Sequence, residues 1–212
     1  MHQAAVAAGR DPASVTLVAV SKGKPAESLR SAATLGVTDF GESYVQEAIP
    51  KLDQLTGLNV QWHFIGGVQS NKTRIIAERF QWVHSIDRLS TARRLSDQRP
   101  FHAAPLNVCV QVALIPESTK GGIAPAALAG LALQIAGLPR LRLRGLMCVP
   151  PPQPDTAAER RVFAGLRQLL EELNAAGQHL DTLSMGMSGD FESAIAEGAT
   201  HVRVGTALFG SR

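Results

Sequence analysis

The sequence predicts an α/β protein of the (β/α)8-barrel class, and three observations carry that expectation. Eight short apolar or β-branched runs recur along the chain. Helical stretches with recognisable end signals separate them. The whole alternation fits into 212 residues, close to the smallest size at which such a barrel closes. A doubly wound open sheet is built from the same alternation and is the structural alternative.

The elements follow in order. The opening MHQAAVAAGR reads as the end of a helix closed by Gly9; it lacks the basic and Leu-rich regions of a signal peptide. Residues 15–21 (VTLVAVS) form the first strand, a near-continuous apolar run of the kind that is covered on both faces. Pro25 opens a helix in which Leu29, Ala32 and Leu35 share a face until Gly36 stops it. Strands follow at 37–40, 60–65 and 82–86, with Asn71 and Lys72 starting a helix after the Gly66–Gly67 turn. The fifth strand is 106–113. Leu128, Leu131, Ala132 and Ile135 then repeat at helical spacing, with Gly137 and Pro139 just beyond. After the sixth strand, 141–147, the Pro-rich stretch 149–154 (VPPPQP) is the longest expected loop. Asp155 enters a long amphipathic helix striped by Val162, Leu166, Leu169, Leu170 and Leu173 and ending near Gly177. A strand at 180–184, a short helix through Phe191, Ala194 and Ile195, and a strand at 201–204 complete the set. Only GTALFGSR follows, so the eighth helix is expected to be missing or a stub, and the N-terminal helix to help close the bottom of the barrel. No linker or repeat divides the chain, and residues 1–212 read as a single domain.

Composition narrows the function. Apolar residues are 45% and charged residues 18%, as in an ordinary globular protein, and the net charge is only +3. No Lys/Arg run suggests a nucleic-acid arm, and seven Phe, two Trp and one Tyr supply few stacking platforms for bases. No apolar stretch reaches the roughly 18 residues that span a bilayer, so a cytoplasmic location is expected. Cys109 and Cys148 each lie inside apolar runs and read as small buried hydrophobes in a reducing compartment. His2, His102, His179 and His201 show no metal-ligand spacing, and no metal site is expected.

The chemistry of this fold gathers where strands end. Lys22 ends the run LVAVSK, where apolar walls favour a neutral amine able to attack an aldehyde. The plainer reading is a strand-end lysine reaching solvent. Lys24 is its competitor, although its place before Pro25 points it towards water. Ser184–Asp190 (SMGMSGD) runs into a helix: its glycines bare backbone N–H groups, Ser188 adds a hydroxyl, and the helix N-terminus adds positive potential. Gly205 and Thr206 follow the last strand beside it, so the two loops read as an anion or phosphate site, or else as turns that need glycine. Arg203, between Val202 and Val204, is costly to bury without acceptors. It can donate to a ring nitrogen or a carboxylate, or form a structural ion pair with a rim carboxylate such as Glu42. His63, within WHFIGG, is a core histidine or a pocket residue, and Met185 and Met187 are pocket walls.

These segments also carry a pattern. LVAVSKGKP, FGESYVQEA, WHFIGGVQSNK, VHSIDR, LRGLMCVPP, LSMGMSGDFESAI and VRVGTALFG resemble, in order and along nearly the whole chain, the pyridoxal phosphate homeostasis protein family. The resemblance implies a fold-type III barrel, similar to the N-terminal domain of alanine racemase, without the C-terminal β domain. It implies pyridoxal 5′-phosphate (PLP) held as a Schiff base on Lys22. Ser188, Gly205 and Thr206 would hold the phosphate, Arg203 would face the pyridine nitrogen, and Ser43, His63, Met185 and Gly186 would lie near the cofactor. This chain has Ser43, Gly23 and Gly67 where the family usually has Asn, Thr and His, which weakens any contact from the second strand and opens the pocket mouth.

The function that the resemblance implies is PLP homeostasis: a monomeric carrier that buffers the cofactor and delivers it to PLP-dependent apoenzymes without robust catalysis. A PLP-dependent amino-acid racemase is the alternative, with Lys22 as one base and His63 or Tyr44 as the second. A Schiff-base aldolase acting on a sugar phosphate is a third reading.

Overall fold

The computed structural model describes residues 1–115 and 121–210 of the chain. Its strands are β1 (Thr16–Val20), β2 (Asp39–Glu42), β3 (Gln61–Phe64), β4 (Trp82–Ile86), β5 (Leu106–Gln111), β6 (Leu141–Met147), β7 (Thr182–Ser184) and β8 (His201–Val204). Each pairs in parallel with the next, and β8 returns to β1, so the sheet closes. The closure excludes the open sheet. Val18 of β1 is in register with Asp39 on one side and Arg203 on the other.

Helix α1 (His2–Ala7) precedes β1, and helices fill the seven crossovers: α2 (Ala26–Thr34), α3 (Val45–Gln54), α4 (Thr73–Arg79), α5 (Leu89–Gln98), α6 (Pro125–Ala136), α7 (Thr156–Ala175) and α8 (Phe191–Ala196), with α9 (Thr206–Phe209) as a single-turn stub after β8. The Asp155 side chain accepts from Ala158 N–H at 2.7 Å and starts α7 where the sequence places it. The apolar core lies between strands and helices, where Leu29, Phe40, Phe80, Leu106 and Phe163 are all buried.

Two expectations are displaced. The second strand lies at Asp39–Glu42 and not at 37–40. At Gly41 a Cβ would fall 2.9 Å from Val18 Cγ1 and 3.2 Å from Ile65 Cδ1. The strand therefore continues through glycine because the barrel interior has no room for a side chain there. The N-terminal helix does not plug the bottom of the barrel; it packs beside α8. Arg10 NH1 ties that segment down by donating to the carbonyls of Ile195 and Ala199, both at 2.8 Å. Side chains fill the bottom instead: Trp82 and His201 have ring centroids 5.0 Å apart, and the Arg144 guanidinium lies 4.9 Å from the Trp82 ring.

Inward-facing positions alternate along each strand. They place His63, Trp82, His84, Ser184, His201 and Arg203 inside the barrel, where all six are buried.

Candidate functional site at the C-terminal rim

A cavity of about 360 Å³ opens at the C-terminal ends of β1, β2, β7 and β8. Lys22, Lys24 and Arg203 contribute three cationic side chains to it, and no carboxylate is among its described lining residues. Val20, Ile65 and Val149 supply apolar walls, and Ser43, Ser188 and Thr206 supply hydroxyls. The donor set suits a flat, partly apolar molecule that carries a compact anion.

Lys22 stands two residues beyond β1 and is exposed, not desolvated between the apolar walls. Lys24 differs more from expectation. It is half-buried, lines the same cavity, and its Nζ donates to the Phe209 carbonyl at 2.9 Å. The turn between the lysines is held by the Gly23 N–H, which donates to Glu47 Oε2 at 2.9 Å.

The β7–α8 loop is shaped by Gly186, whose φ of 92° is open to glycine and strained for other residues. A Cβ there would also fall 2.6 Å from Ala194 Cβ. The Gly186 carbonyl accepts the Arg203 N–H at 2.9 Å, so the loop is pinned to β8. Ser188 Oγ accepts from the Ala207 N–H at 3.3 Å, which joins the loop to the turn carrying Gly205 and Thr206. Asp190 precedes α8 and accepts from the Met187 N–H at 2.6 Å; it is not among the lining residues, although Gly189 beside it is. Burial pushes the Asp190 carboxyl up, with the Met187 bond opposing. The three cations carry the formal positive charge of the described lining.

Arg203 is 4% exposed. Its guanidinium donates to Ser184 Oγ at 2.7 Å and to the Cys148 carbonyl at 2.8 Å. Five N–H groups are available to it, and these two bonds do not exhaust them. Burial lowers its pKa, yet arginine remains a cation under working conditions. The ion pair with Glu42 does not form. Glu42 is engaged by Lys51 at 2.7 Å and by the Ser21 hydroxyl at 2.6 Å.

The structure thus brings together Lys22, Ser43, Ser188, Arg203, Gly205 and Thr206. His63, Met185 and Gly186 are buried outside the cavity lining. Tyr44 is 53% exposed and lines a neighbouring depression. Cys109 and Cys148 are buried, and burial pushes both thiols up to about 12. Among the described residues no group of three or more His, Cys, Asp or Glu side chains could hold a metal ion, and no helix is long and apolar enough to cross a membrane. Sequence reasoning missed Val149 and Gly210 as lining residues. Val149 opens the Pro-rich stretch, whose composition signals only a loop.

The family model for the alanine racemase N-terminal domain matches residues 2–212. The pyridoxal phosphate homeostasis protein of Pseudomonas aeruginosa is 58% identical over 212 residues, covering 100% of this chain and 91% of its own. The protein of the same name from Escherichia coli K12 is 49% identical, with 99% and 91% covered. The solved structure of PipY of Synechococcus elongatus PCC7942 with PLP bound is 40% identical, with a TM-score of 0.88 and coverage of 99% and 98%.

Proposed function

The chain belongs to the alanine racemase N-terminal domain family and, within it, to the pyridoxal phosphate homeostasis proteins, and from that membership we propose that it binds PLP in the rim cavity as a Schiff base on Lys22 and serves as a cytoplasmic, monomeric carrier of the cofactor. The observation that carries this reading is the cavity's charge: three cations and no described carboxylate around about 360 Å³. A phosphate monoester carries close to two negative charges at neutral pH. In this reading residues 1–212 act as one cofactor-binding domain.

PLP, when bound, supplies an aldehyde that condenses with a primary amine and a pyridine ring that can withdraw electrons. The chain's own residues divide the work. Lys22 offers the amine at the cavity mouth. Ser188 and Thr206, with the backbone at Gly189 and Gly205, offer hydrogen bonds to the phosphate from two joined loops. Val20, Ile65 and Val149 would supply the apolar walls for the ring. Arg203 would donate to the ring nitrogen. A guanidinium keeps its own proton, so a ring nitrogen held there would stay unprotonated and the ring would be a weak electron sink.

Holding is therefore favoured over carbanion chemistry. Neither expected second base of a racemase is among the described lining residues: His63 is buried outside the lining and Tyr44 faces the adjacent depression. Lys24 sits on the same wall, committed to Phe209. The test is retention and delivery. The purified protein should keep one equivalent of PLP through gel filtration, restore activity to a PLP-dependent apoenzyme, and leave L-alanine unracemised. Loss of all PLP on the column would refute the carrier reading, and rapid racemisation would replace it with catalysis.

A further inference from the structure

His63 and His84 take no part in the cavity wall, yet they connect it to the other end of the barrel. Five side chains from β2, β3, β4, β7 and β8 are hydrogen-bonded in series. Asp39 Oδ1 lies 2.9 Å from His63 Nε2, and His63 Nδ1 lies 2.8 Å from His84 Nε2. His84 Nδ1 lies 2.7 Å from Ser184 Oγ, which accepts from Arg203 NH1 at 2.7 Å. His63, His84 and Ser184 are fully buried, whereas the Asp39 side chain is 16% exposed at the start of β2.

The protons can be assigned from the two ends. An ionised carboxylate only accepts, so His63 donates to Asp39 through Nε2. Burial disfavours charge on either imidazole, and each ring then carries one proton. His63 Nδ1 is therefore an acceptor, and His84 donates to it through Nε2. His84 Nδ1 accepts in turn from the Ser184 hydroxyl. Ser184 accepts from Arg203, which has no acceptor atom. All four bonds point from the cation to the anion. The opposite direction is closed while Asp39 is ionised.

We propose that Ser184, His84, His63 and Asp39 are positioning residues for Arg203: a one-way hydrogen-bond chain that fixes the guanidinium towards the cofactor ring and couples it to a carboxylate at the far end of the barrel. The inference rests on the reading that Arg203 faces the ring nitrogen. Serine and two neutral imidazoles suit the task because each accepts at one site and donates from another. The surrounding groups leave the chain intact. Trp82 stacks on His63 with centroids 5.4 Å apart, and His201 lies 6.0 Å from both imidazoles while its Nδ1 pairs with Thr200 Oγ1 at 3.0 Å. Arg144, which lies over the Trp82 ring, pairs with Asp181 at 2.7 Å.

Two readouts test it. Long-range ¹H–¹⁵N NMR of the histidine rings in the cofactor-free protein at neutral pH should show His63 and His84 both protonated on Nε2. In Asp39→Asn the amide can donate as well as accept, so the direction is released and the Nδ1-protonated form should appear at one or both rings. An Nδ1 proton on either ring of the parent protein overturns the chain, and so does an unchanged pair of tautomers in Asp39→Asn. The second readout is the absorption band of bound PLP at saturation. Ser184→Ala and Asp39→Asn should displace it, and Ser184→Thr, which keeps the hydroxyl, should restore it. Identical bands in all variants overturn the positioning role. Absence of PLP uptake by the parent protein removes the cofactor reading instead, and the tautomers then decide the chain alone.

Discussion

Glu42 and Lys51 meet in a buried ion pair, Oε1 to Nζ at 2.7 Å, directly beneath the residue that precedes Lys22. Lys51 Nζ also donates to the Ser21 carbonyl at 2.7 Å, and the Ser21 hydroxyl donates to Glu42 Oε1 at 2.6 Å. The pair therefore braces the strand end from which Lys22 emerges. Lys51→Met strands the Glu42 carboxylate in the interior. A buried pair broken on one side costs about 3–5 kcal/mol, so the urea midpoint should fall sharply. Adding Glu42→Gln should recover part of the loss by removing the orphaned charge. A single variant with unchanged stability would show that the pair is solvated in solution.

Stability should fall as the pH drops from about 6.5 towards 4. Burial holds His63 and His84 below the usual imidazole range and lowers His201 to about 4. In that window the unfolded chain binds more protons than the folded one. The neutral histidines' contribution is thus complete above 6.5 and lost on acidification. His201 alone accounts for roughly 3 kcal/mol across the window at about 1.4 kcal/mol per pKa unit. Asp39, whose carboxyl ends below 3.8 because the His63 and Thr38 bonds outweigh its desolvation, adds its loss only at lower pH. Asp190, raised by burial, opposes the trend just above 3.8 and is one group against three. Urea titrations at pH 7 and 4.5 read the difference, and His201→Asn should make it smaller. A flat profile contradicts the assignment of neutral buried histidines.

Thr206→Val should weaken PLP retention without changing the absorption of the saturated complex. Thr206 lines the cavity beside Gly205, and a charge-assisted hydrogen bond is worth roughly 1.5–3 kcal/mol, or about tenfold or more in affinity. Full retained affinity would place the phosphate away from the β8 turn.

Much of this was legible in sequence order, because strand ends are where this fold keeps its chemistry. Lys22, Ser188, Gly205 and Thr206 all lie within four residues of a strand's end, and the structure gathers them at one rim. Elements that break a propensity rule were harder. α3 carries Pro50 in its interior, and β2 runs through Gly41 because of what stands opposite it. The interior chain was not legible at all. Its links span 24, 21, 100 and 19 residues, and only closure of the barrel brings them into contact. Alternation along β3 identifies His63 as an inward residue and says nothing of His84 as its neighbour. Lys24 was misplaced for a related reason: its acceptor, Phe209, lies 185 residues away.

The most direct test of the central claim is to add PLP to the purified protein, reduce with borohydride, and map the labelled peptide. A Schiff base on Lys22 should give a yellow complex that bleaches on reduction and leaves the label on Lys22, and the Lys22→Ala variant should lose the covalent link while keeping some phosphate-anchored binding. Label on Lys24, or a colourless protein that takes no label, would contradict it.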